Sequence, residues 1–379
     1  MLEKEKNEFE TLIMKQLKRV ENMKNNQEKV NYQQKEKIII GICGGDGIGP
    51  IITLQAEKIL KEILKEEIDN GKIVIKKIDG LTIERRIQEN VAVPTDVLKE
   101  IKKCDVILKG PTTTPRSGDG LPNIESANVA LRKELDLFAN VRPIKNTDFN
   151  IDWIFYRENT EGGYAVGKEG ITINDDLCVD FTITTKCGSE RIIRSAFEYA
   201  KNNKKTRVTA VTKANVIKTT DGKFLDTFYK IAKEYKDIKA DDWYIDIMTA
   251  KLIDKERRSE FQVIVAPNLY GDILTDEAAE IQGGVGTAGS ANIGNKYAMF
   301  EAIHGSAPRM IKEKREQYAD PTSMIKASIL LLEHIGYNEK AKRIENALEK
   351  CTREGFKVEK NGKITNDIFT QKIIDNIKK

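Results

Sequence analysis

Apolar residues in this chain occur either in short unbroken runs or at helical spacing, and the two patterns alternate. The runs KIIIGIC, GKIVIKKID and DVILKG predict three strands in the first third of the chain. Between the first two runs, residues 52–68 repeat apolar positions every three or four residues after Pro50, a residue favoured in the first turn of a helix. Strands that alternate with helices predict an α/β fold with a parallel sheet and helices on both faces.

The same alternation continues to the end of the chain. A helix is expected to open at Asn268, followed by the loop QGGVGTAGSANIG and the strand YAMFEAIHG. The other predicted elements are helix 126–136, strands LFANVRP and DWIFYRENTEG, a Gly-rich excursion with short strands at 163–186, helix 188–203, strand RVTAVTK, helix 221–235, strands DWYIDIM and QVIVAPN, and two closing helices near 322–335 and 338–350.

Residues 1–36 differ in composition from the rest of the chain. Apolar side chains recur at helical spacing between lysines and glutamates, and a Gln/Asn/Lys-rich stretch follows up to about Lys37. The apolar positions are Phe9, Leu12, Ile13, Leu17, Val20 and Met23. This pattern predicts a short amphipathic helix and a linker. The segment is either a frayed appendage or a helix that docks on a partner subunit.

Composition narrows the functional classes. The 379 residues are 32% charged, yet the formal net charge is only +4 and the lysines are spread over EK and KE alternations, which argues against nucleic-acid binding. No stretch of 18 apolar residues predicts a membrane span, and the N-terminus resembles neither a signal nor a transit peptide. Five cysteines lack any CxxC pair, which fits a reducing cytoplasm. With two histidines, a metal site would use carboxylates and a hard ion, Mg²⁺ or Mn²⁺.

The turn GGDGIGP lies where a dinucleotide-binding fingerprint would be expected. Counted from Gly45, the sixth position is Pro50 rather than glycine, and only Asp79 is available as an acidic residue after the second strand. The sequence therefore does not match the Rossmann pattern, and a tight turn alone explains the glycines.

Polar residues near the ends of elements in the middle of the chain form a candidate anion site. They are Ser126, Asn128, Arg132, Arg142 and Arg157. Asn128 and Arg132 are four residues apart on one helical face. Each arginine alone is more often a surface residue, but three together would clamp a substrate with several carboxylates, because a guanidinium binds a carboxylate through two parallel hydrogen bonds.

Carboxylates form the second candidate site. Asp272 and Asp276 are four residues apart on a predicted helix, where two like charges repel by a few tenths of a kcal/mol. A solvated acidic face is the ordinary interpretation of such a pair. With Asp246, which follows a predicted strand, the three carboxylates also match a hard-cation site. Tyr164 and Lys213 are candidate proton donor and base, although a tyrosine in a loop more often packs and a lysine at a strand end more often reaches solvent.

Six motifs in order resemble one family. LKGPTTTP, IESANVALRKELDLFANVRP, FYRENTEGGY, VTKAN, NLYGDILTDEAAEIQGGVGTAGSANIG and FEAIHGSAP resemble the metal-dependent β-decarboxylating dehydrogenases that act on isocitrate, isopropylmalate and homoisocitrate. The likeness covers roughly residues 37–375. It implies a doubly wound cofactor-binding domain (37–137 and 283–379), a smaller α/β domain with the metal site and dimer contacts (138–282), a clasp-like segment (163–186), and an extension at 1–36 outside the family core.

The resemblance also implies site residues. The metal ligands would be Asp246, contributed across a dimer interface, with Asp272 and Asp276. The catalytic pair would be Tyr164 and Lys213, the lysine also coming from the partner chain, and the clamp would be Arg132, Arg142 and Arg157. The implied cofactor contacts are Lys109, Thr113, Thr114, Glu301, His304, Gly305, Ala307, Arg309 and Asp320, the last where the family usually has Asn. The ion would acidify the substrate hydroxyl before hydride transfer, and Tyr164 would protonate the enolate left by decarboxylation.

The sequence indicates the substrate and the cofactor less directly than it indicates the family. Ser126 and Asn128 are polar donors suited to a third carboxylate, whereas the matching positions of isopropylmalate dehydrogenases resemble an apolar surface. Isocitrate is therefore the predicted substrate, and its oxidation is a reaction of the tricarboxylic acid cycle. Homoisocitrate stays an alternative, because it differs from isocitrate by one methylene. Arg309 would suit the 2′-phosphate of NADP, but the wording NTEG and NLYGDIL leans to NAD. The alternatives are a catalytically silent regulatory subunit of a heteromeric isocitrate dehydrogenase and a ligand-binding α/β protein without chemistry.

Overall fold

The computed structural model describes residues 3–25, 28–115, 118, 120–167, 169–359 and 362–378. The chain divides into two compact units. The first unit comprises Met1–Lys29 and Asp136–Gln282, and the second comprises Val30–Leu135 and Gly283–Lys379. Both units combine helices with a mostly parallel set of strands, as the alternating pattern predicts.

The second unit contains five strands. They are β1 (Ile38–Cys43), β2 (Ile73–Ile78), β3 (Val106–Lys109), β11 (Gly289–Ile293) and β12 (Ala298–Ala302). Their order is β2-β1-β3-β12-β11, all parallel except β11, which pairs antiparallel with β12. The helices are α2 (Gly49–Ile63), α3 (Lys65–Asp69), α4 (Ile83–Glu89), α5 (Thr95–Ile101), α6 (Ala127–Glu134), α11 (Pro308–Lys312), α12 (Thr322–His334), α13 (Asn338–Arg353) and α14 (Asn366–Ile377).

The first unit also contains five strands in one sheet. They are β4 (Ala139–Asn146), β5 (Ile151–Glu158), β8 (Arg207–Thr212), β9 (Lys239–Tyr244) and β10 (Val263–Ala266), and a separate antiparallel hairpin is formed by β6 (Ile171–Asn174) and β7 (Leu177–Val179). The sheet order is β4-β5-β10-β8-β9, with β4 antiparallel to β5 and the rest parallel. The helices are α1 (Glu3–Asn25), α7 (Lys186–Asn202), α8 (Thr220–Ala232), α9 (Ile245–Ile253) and α10 (Asn268–Gln282).

Helix α2 shows how the periodicity produces the core. Its buried residues Ile52, Ala56, Ile59, Leu60 and Ile63 recur every three or four positions, which places them on one face. Each isoleucine buried in this way contributes about 1.5–3 kcal/mol relative to exposure. The helix contacts β1, β3, α12 and α14 of its own unit, so the predicted apolar face is the one that packs.

Several sequence predictions of secondary structure are wrong. SANI, expected to be loop, forms β11, because backbone pairing with β12 decides its conformation despite the surrounding glycines. IDIM, expected to be strand, opens α9, so that Asp246 lies in a helical first turn. The helix expected over 52–68 is divided at Leu64, and no helix was predicted at the position of α14. The short segment IDIM is too brief to show a clear period, which explains why its helix was mistaken for a strand.

Helix α1 is longer than predicted and packs on its own unit. It contacts α7 and β6, and it buries Leu12 and Met23. The ring of Phe9 lies 5.3 Å from that of Phe181. The interpretation of the described part of this extension as a frayed appendage is therefore wrong. Docking of its remaining apolar residues on a partner subunit stays a prediction.

Within the described residues, no helix is long and apolar enough to cross a membrane.

His334 is expected to make the stability of the second unit depend on pH. The imidazole lies 5.1 Å from the ring of Tyr32 and 5.6 Å from that of Phe300, and burial lowers the pKa of His334 to about 4. The unfolded chain, with a histidine pKa near about 6.5, binds the proton first, so stability is lost as the pH falls from about 6.5 towards 4. Between pH 7.5 and 5 we expect a loss of about 1–2 kcal/mol from this group.

Urea unfolding of the wild-type protein and of His334→Leu at both pH values measures this contribution. The stability lost between pH 7.5 and 5 should be about 1–2 kcal/mol smaller in His334→Leu than in the wild-type protein, and His304→Leu controls for the loss of one histidine. An unchanged pH dependence in His334→Leu would contradict the prediction.

Candidate functional site

Helix α10 carries Asp272 and Asp276 against the antiparallel pair β4 and β5. Gly271 makes this close packing feasible, because a Cβ at that position would lie 2.6 Å from the Cβ of Arg157. In the β4–β5 ladder Asn140 is opposite Arg157, and Arg142 lies two residues beyond Asn140 on the same face. The strands therefore present two arginines towards the two aspartates of the helix.

Arg157 is fully buried and is held by Asn268 at the start of α10. Its Nε and Nη2 donate to Asn268 Oδ1 at 3.0 and 2.7 Å, and its Nη1 donates to Asp272 Oδ1. Asn268 donates in turn to the carbonyl oxygen of Glu161 at 3.1 Å. A buried cation with this many partners is fixed in one orientation.

Arg142 is also buried, and it faces both aspartates. Its Nε donates to Asn140 Oδ1 at 2.8 Å, and its Nη1 donates to Thr275 Oγ1 at 2.7 Å and to Asp276 Oδ1 at 2.8 Å. Its Nη2 lies 3.7 Å from Asp272 Oδ1. The two arginines thus offset the repulsion between the aspartates that the sequence places one turn apart.

Tyr164 reaches the same carboxylate. Its hydroxyl donates to Asp272 Oδ2 at 2.9 Å, and the guanidinium carbon of Arg157 lies 5.4 Å from the centre of its ring. The structure therefore brings together five predicted site residues, Arg142, Arg157, Tyr164, Asp272 and Asp276.

Lys213 and Asp246 form a separate pair within the first unit. Lys213 follows β8, and Asp246 lies in the first turn of α9, directly after β9. Because β8 and β9 are parallel neighbours, both residues lie at the same edge of the sheet. Lys213 Nζ donates to Asp246 Oδ1, and this hydrogen bond holds the pKa of the aspartate below its usual value. The lysine side chain is 25% exposed and that of Asp246 is 66% exposed.

The donor chemistry fits a hard divalent cation, but the described part of one chain does not complete the site. Asp272 and Asp276 supply carboxylate oxygens, the ligands that Mg²⁺ and Mn²⁺ prefer. Among the residues described, no three side chains of histidine, cysteine, aspartate or glutamate lie close enough together to hold an ion. Asp246, Asp272 and Asp276 therefore do not come together within the described part of one chain, and the predicted ion site would need at least one further ligand.

The second unit contains a buried ion-pair cluster around Glu301. This carboxylate is 2.9 Å from Lys109 Nζ and 3.3 Å from Arg132 Nη2, and it accepts from Asn292 Nδ2 at 2.8 Å. Burial raises the pKa of Glu301, but Lys109 and Arg132 lower it further, to about 2. The ammonium of Lys109 also donates to Gly110 O at 2.8 Å and is completely buried. The predicted interaction of Lys109 with the cofactor would therefore be indirect, through Glu301.

Arg132 and Ser126 each carry a polar group that lacks an expected hydrogen bond within the described residues. Arg132 Nε is buried and has no hydrogen-bond partner in the described structure. Ser126 is the N-cap residue of α6, yet its hydroxyl makes no capping hydrogen bond, although serine usually caps in this position. On the same helix, Asn128 Oδ1 accepts from Thr112 Oγ1 at 3.0 Å. These groups lie on α6 or at its N-terminus, and their role in binding substrate stays a prediction.

The GGDGIGP turn joins two of the predicted cofactor loops. Asp46 accepts from the backbone N–H of Thr113 at 2.7 Å, and Thr113 Oγ1 lies 2.7 Å from Ser306 Oγ. A Cβ at Gly47, where φ is +57°, would lie 2.0 Å from the carbonyl oxygen of Ser306. This glycine is therefore required for close approach of the loops as well as for the turn.

The remaining predicted cofactor residues are at or near the surface of the second unit. His304 Nδ1 lies 3.0 Å from Gly305 O, and Ala307 has a φ of +44°, a left-handed conformation that non-glycine residues adopt mainly at strained sites. Arg309 pairs with Glu313 at 2.5 Å and is 88% exposed. Asp320 Oδ1 accepts from Thr322 N at 2.9 Å, and Thr114 is exposed. The cofactor roles of these residues stay predictions.

Sequence reasoning missed the residues that hold the clamp in place. Asn140, Asn268 and Thr275 bind the buried arginines, Asn292 binds Glu301, and Asp46 fixes Thr113. Asn140 had a usable signal, because it is two residues from Arg142 in a predicted strand and so lies on the same face. The others are brought near their partners only by tertiary packing.

Several known proteins resemble this chain over most of its length. A family model described as isocitrate/isopropylmalate dehydrogenase matches residues 39–377. The homoisocitrate dehydrogenase of Methanocaldococcus jannaschii is 39% identical, covering 82% of this chain and 89% of that protein. The NADP isocitrate dehydrogenase of Rickettsia bellii is 41% identical over 84% of this chain, which spans only 64% of the longer Rickettsia enzyme. The 3-isopropylmalate dehydrogenase of Methanothermobacter thermautotrophicus is 39% identical, covering 84% and 91%.

Solved structures give the same result. The isocitrate dehydrogenase of Methylococcus capsulatus matches with a TM-score of 0.78 and 35% identity, covering 90% of this chain and all of that one. The TT0538 protein of Thermus thermophilus matches with a TM-score of 0.80 and 31% identity, covering 93% and 71%. With the family match over most of the sequence, these likenesses show that the chain belongs to the isocitrate/isopropylmalate dehydrogenase family of decarboxylating dehydrogenases.

Proposed function

We propose that the protein oxidatively decarboxylates isocitrate to 2-oxoglutarate and CO₂, with hydride transfer to a nicotinamide cofactor. The observation that carries this substrate choice is on α6, where Arg132 Nε is buried without a partner among the described residues and the Ser126 hydroxyl makes no capping bond. Burying such polar groups against an alkyl substituent would cost about 1–3 kcal/mol each, whereas a third carboxylate would satisfy them.

The two buried arginines of the first unit would bind the other carboxylates. Arg142 and Arg157 are held by Asn140, Asn268 and Thr275, so their donors are oriented before substrate arrives. Fixed guanidinium groups bind carboxylates bidentately and lose little entropy in doing so. This arrangement would hold the substrate hydroxyl carbon in a single position for hydride transfer.

Asp246, Asp272 and Asp276 would hold Mg²⁺ or Mn²⁺, which supplies Lewis acidity to the substrate hydroxyl and to the enolate formed by loss of CO₂. Lys213 would accept or relay the proton of that hydroxyl. Tyr164 would donate its proton to the enolate carbon, and its hydrogen bond to Asp272 keeps the hydroxyl beside the metal carboxylates. The domain roles follow: the first unit would carry the metal and the second the cofactor.

A second copy of the chain would complete the site. Lys213 and Asp246 form a pair apart from the Asp272 cluster, and their neighbours include exposed apolar side chains. These are Val216, Ile217 and Ile247, and, on the contacting helix α10, Leu269 and Ile273. Burying such a surface in a homodimer is favourable, and would bring Lys213 and Asp246 of one subunit to the carboxylates of the other.

NAD is the proposed cofactor, and NADP is the alternative. Arg309 is almost fully exposed beside Glu313, so its guanidinium is accessible to a 2′-phosphate, and the Rickettsia relative is named as an NADP enzyme. NAD is preferred because the motifs NTEG and NLYGDIL resemble those of NAD-type isocitrate dehydrogenases. All five cysteines are free, which fits a cytoplasmic location.

Substrate preference is testable by competition. We expect kcat/KM for isocitrate to exceed that for 3-isopropylmalate by at least about 100-fold, because the polar groups of α6 would be left unpaired against an isopropyl group. Purified protein supplied with both acids measures the ratio directly. Comparable values would overturn the proposal. Homoisocitrate belongs in the same assay, because one extra methylene changes binding by only about 1–3 kcal/mol.

Initial rates with NAD and NADP, before and after chelation of divalent metal, test the reaction itself. Chelator should abolish turnover, and added Mg²⁺ or Mn²⁺ should restore it.

A catalytically silent regulatory subunit is the second candidate function. One relative is named as a regulatory subunit of the mitochondrial NAD isocitrate dehydrogenase of Dictyostelium discoideum, and it is 37% identical, covering 91% of this chain and 92% of that protein. Absence of turnover by the pure protein with any of the three acids would favour that candidate.

A further inference from the structure

We propose that Arg19 of helix α1 is a positioning residue for the catalytic centre, acting through Glu161 and Asn268 on the Arg157–Asp272 pair. This inference rests on the proposed function. Helix α1 precedes residue 39, where the family match begins, so the family resemblance assigns no role to it. It nevertheless packs within the same unit as Tyr164 and Asp272.

The first contact of this connection is an ion pair. Arg19 Nη2 is 3.1 Å from Glu161 Oε1 and donates to Thr160 Oγ1 at 3.3 Å. The Arg19 side chain is 24% exposed and that of Glu161 only 4% exposed. Glu161 also accepts from the backbone N–H of Thr185 at 3.0 Å and from its hydroxyl. A buried carboxylate of this kind is strongly destabilised when its charged partner is removed.

The turn that contains Glu161 concentrates negative charge. Glu158 is buried three residues away and accepts from the backbone N–H groups of Thr160 and Glu161. Burial and the charge of Glu161 raise the pKa of Glu158 to about 7. Arg191 on α7 and Arg19 both donate to Thr160 Oγ1 of this turn, at 3.1 and 3.3 Å. Arg19 is the one that contacts the Glu161 carboxylate directly.

From Glu161 the hydrogen bonds continue to the metal carboxylate. Asn268 donates to the Glu161 carbonyl at 3.1 Å and accepts two hydrogen bonds from Arg157. Arg157 pairs with Asp272, which accepts from Tyr164 at 2.9 Å. The same turn also leads directly from Arg157 in β5 to Tyr164. Displacement of Glu161 would therefore move both the proton donor and the clamp.

Kinetics of Arg19→Gln, Arg19→Lys and Lys18→Gln test the proposal. Lys18 is the exposed neighbour on the same helix and controls for the loss of one positive charge. We expect Arg19→Gln to lower kcat about tenfold with the KM for the nicotinamide cofactor unchanged, because the catalytic geometry shifts while the second unit is untouched. Arg19→Lys should recover to within about threefold of wild type, because it restores the charge beside Glu161.

Hydrogen exchange of the same variants gives a readout that needs no turnover. Amides of residues 159–164 and 268–273 should exchange faster in Arg19→Gln than in Lys18→Gln, and at wild-type rates in Arg19→Lys. If the wild-type protein turns over none of the three acids, the proposed function fails while this comparison still decides the connection. Arg19→Gln behaving as Lys18→Gln in exchange and kinetics would overturn the inference. The inference would also be overturned if Leu12→Ala lost as much kcat as Arg19→Gln and Arg19→Lys did not recover activity. Packing of α1 alone would then account for the loss.

Discussion

Tyr164→Phe should slow the complete oxidative decarboxylation by about 10²–10⁴-fold while reduction of the β-keto intermediate stays measurable. The variant removes one hydroxyl, whose proton the proposed mechanism uses only in the protonation of the enolate carbon. The ring and its position against Arg157 are retained. Steady-state rates of the forward reaction, and of reduction of the chemically supplied keto acid by the reduced cofactor, measure the two steps separately.

Tyr229→Phe is the matched control. Its hydroxyl also donates to an aspartate, Asp242, but it belongs to α8 and to no predicted site. Both reactions should proceed at wild-type rates in this variant. If Tyr164→Phe slowed the two partial reactions equally, Tyr164 would be needed for binding or geometry rather than as the proton donor of one step.

Asp272→Asn should lower kcat/KM by about 10³-fold or more, because this carboxylate belongs to the predicted metal set and also pairs with Arg157, an arginine of the predicted clamp. It accepts from Tyr164 and pairs with Arg157, which is fully buried. The amide keeps the shape of the side chain but removes the charge that a divalent ion requires. Direct titration with Mn²⁺, followed by electron paramagnetic resonance, should show weaker binding together with the kinetic loss.

Asp152→Asn controls for the removal of one carboxylate from the same unit. Asp152 is in β5, is 60% exposed and pairs with Lys205, so its loss should change stability and activity little. An Asp272→Asn protein that bound Mn²⁺ as tightly as wild type, or kept more than about a tenth of its kcat/KM, would remove Asp272 from the metal site.

The Asp272–Asp276 pair shows how far sequence reasoning reaches. Their spacing established that both carboxylates lie on one face of a helix, and α10 confirms it. The sequence also contained the two arginines that offset their charge, but assigned them only to a substrate clamp. That Arg142 binds Asp276 and Arg157 binds Asp272 depends on how β4, β5 and α10 pack, which local spacing does not encode.

Two predictions of secondary structure were wrong because contacts made only in the folded protein decided the conformation. The SANI segment was expected to be loop because glycines surround it, and it became a strand because β12 offers it a hydrogen-bonded edge. The IDIM segment was expected to be strand, and in the structure it opens α9. In both cases a residue's local preference is weaker than the interactions that the assembled unit provides.

The sequence by itself determined the alternation of strands and helices, the family, and the residue types of the site, because these depend on periodicity and on motifs that are contiguous in the chain. Only the tertiary structure decided which polar groups meet: Asn268 with Arg157, Asp46 with Thr113, and Arg19 with Glu161. These partners are between 67 and 142 residues apart. Their contact depends on the burial and the register of whole elements, and no local pattern in the chain carries that information.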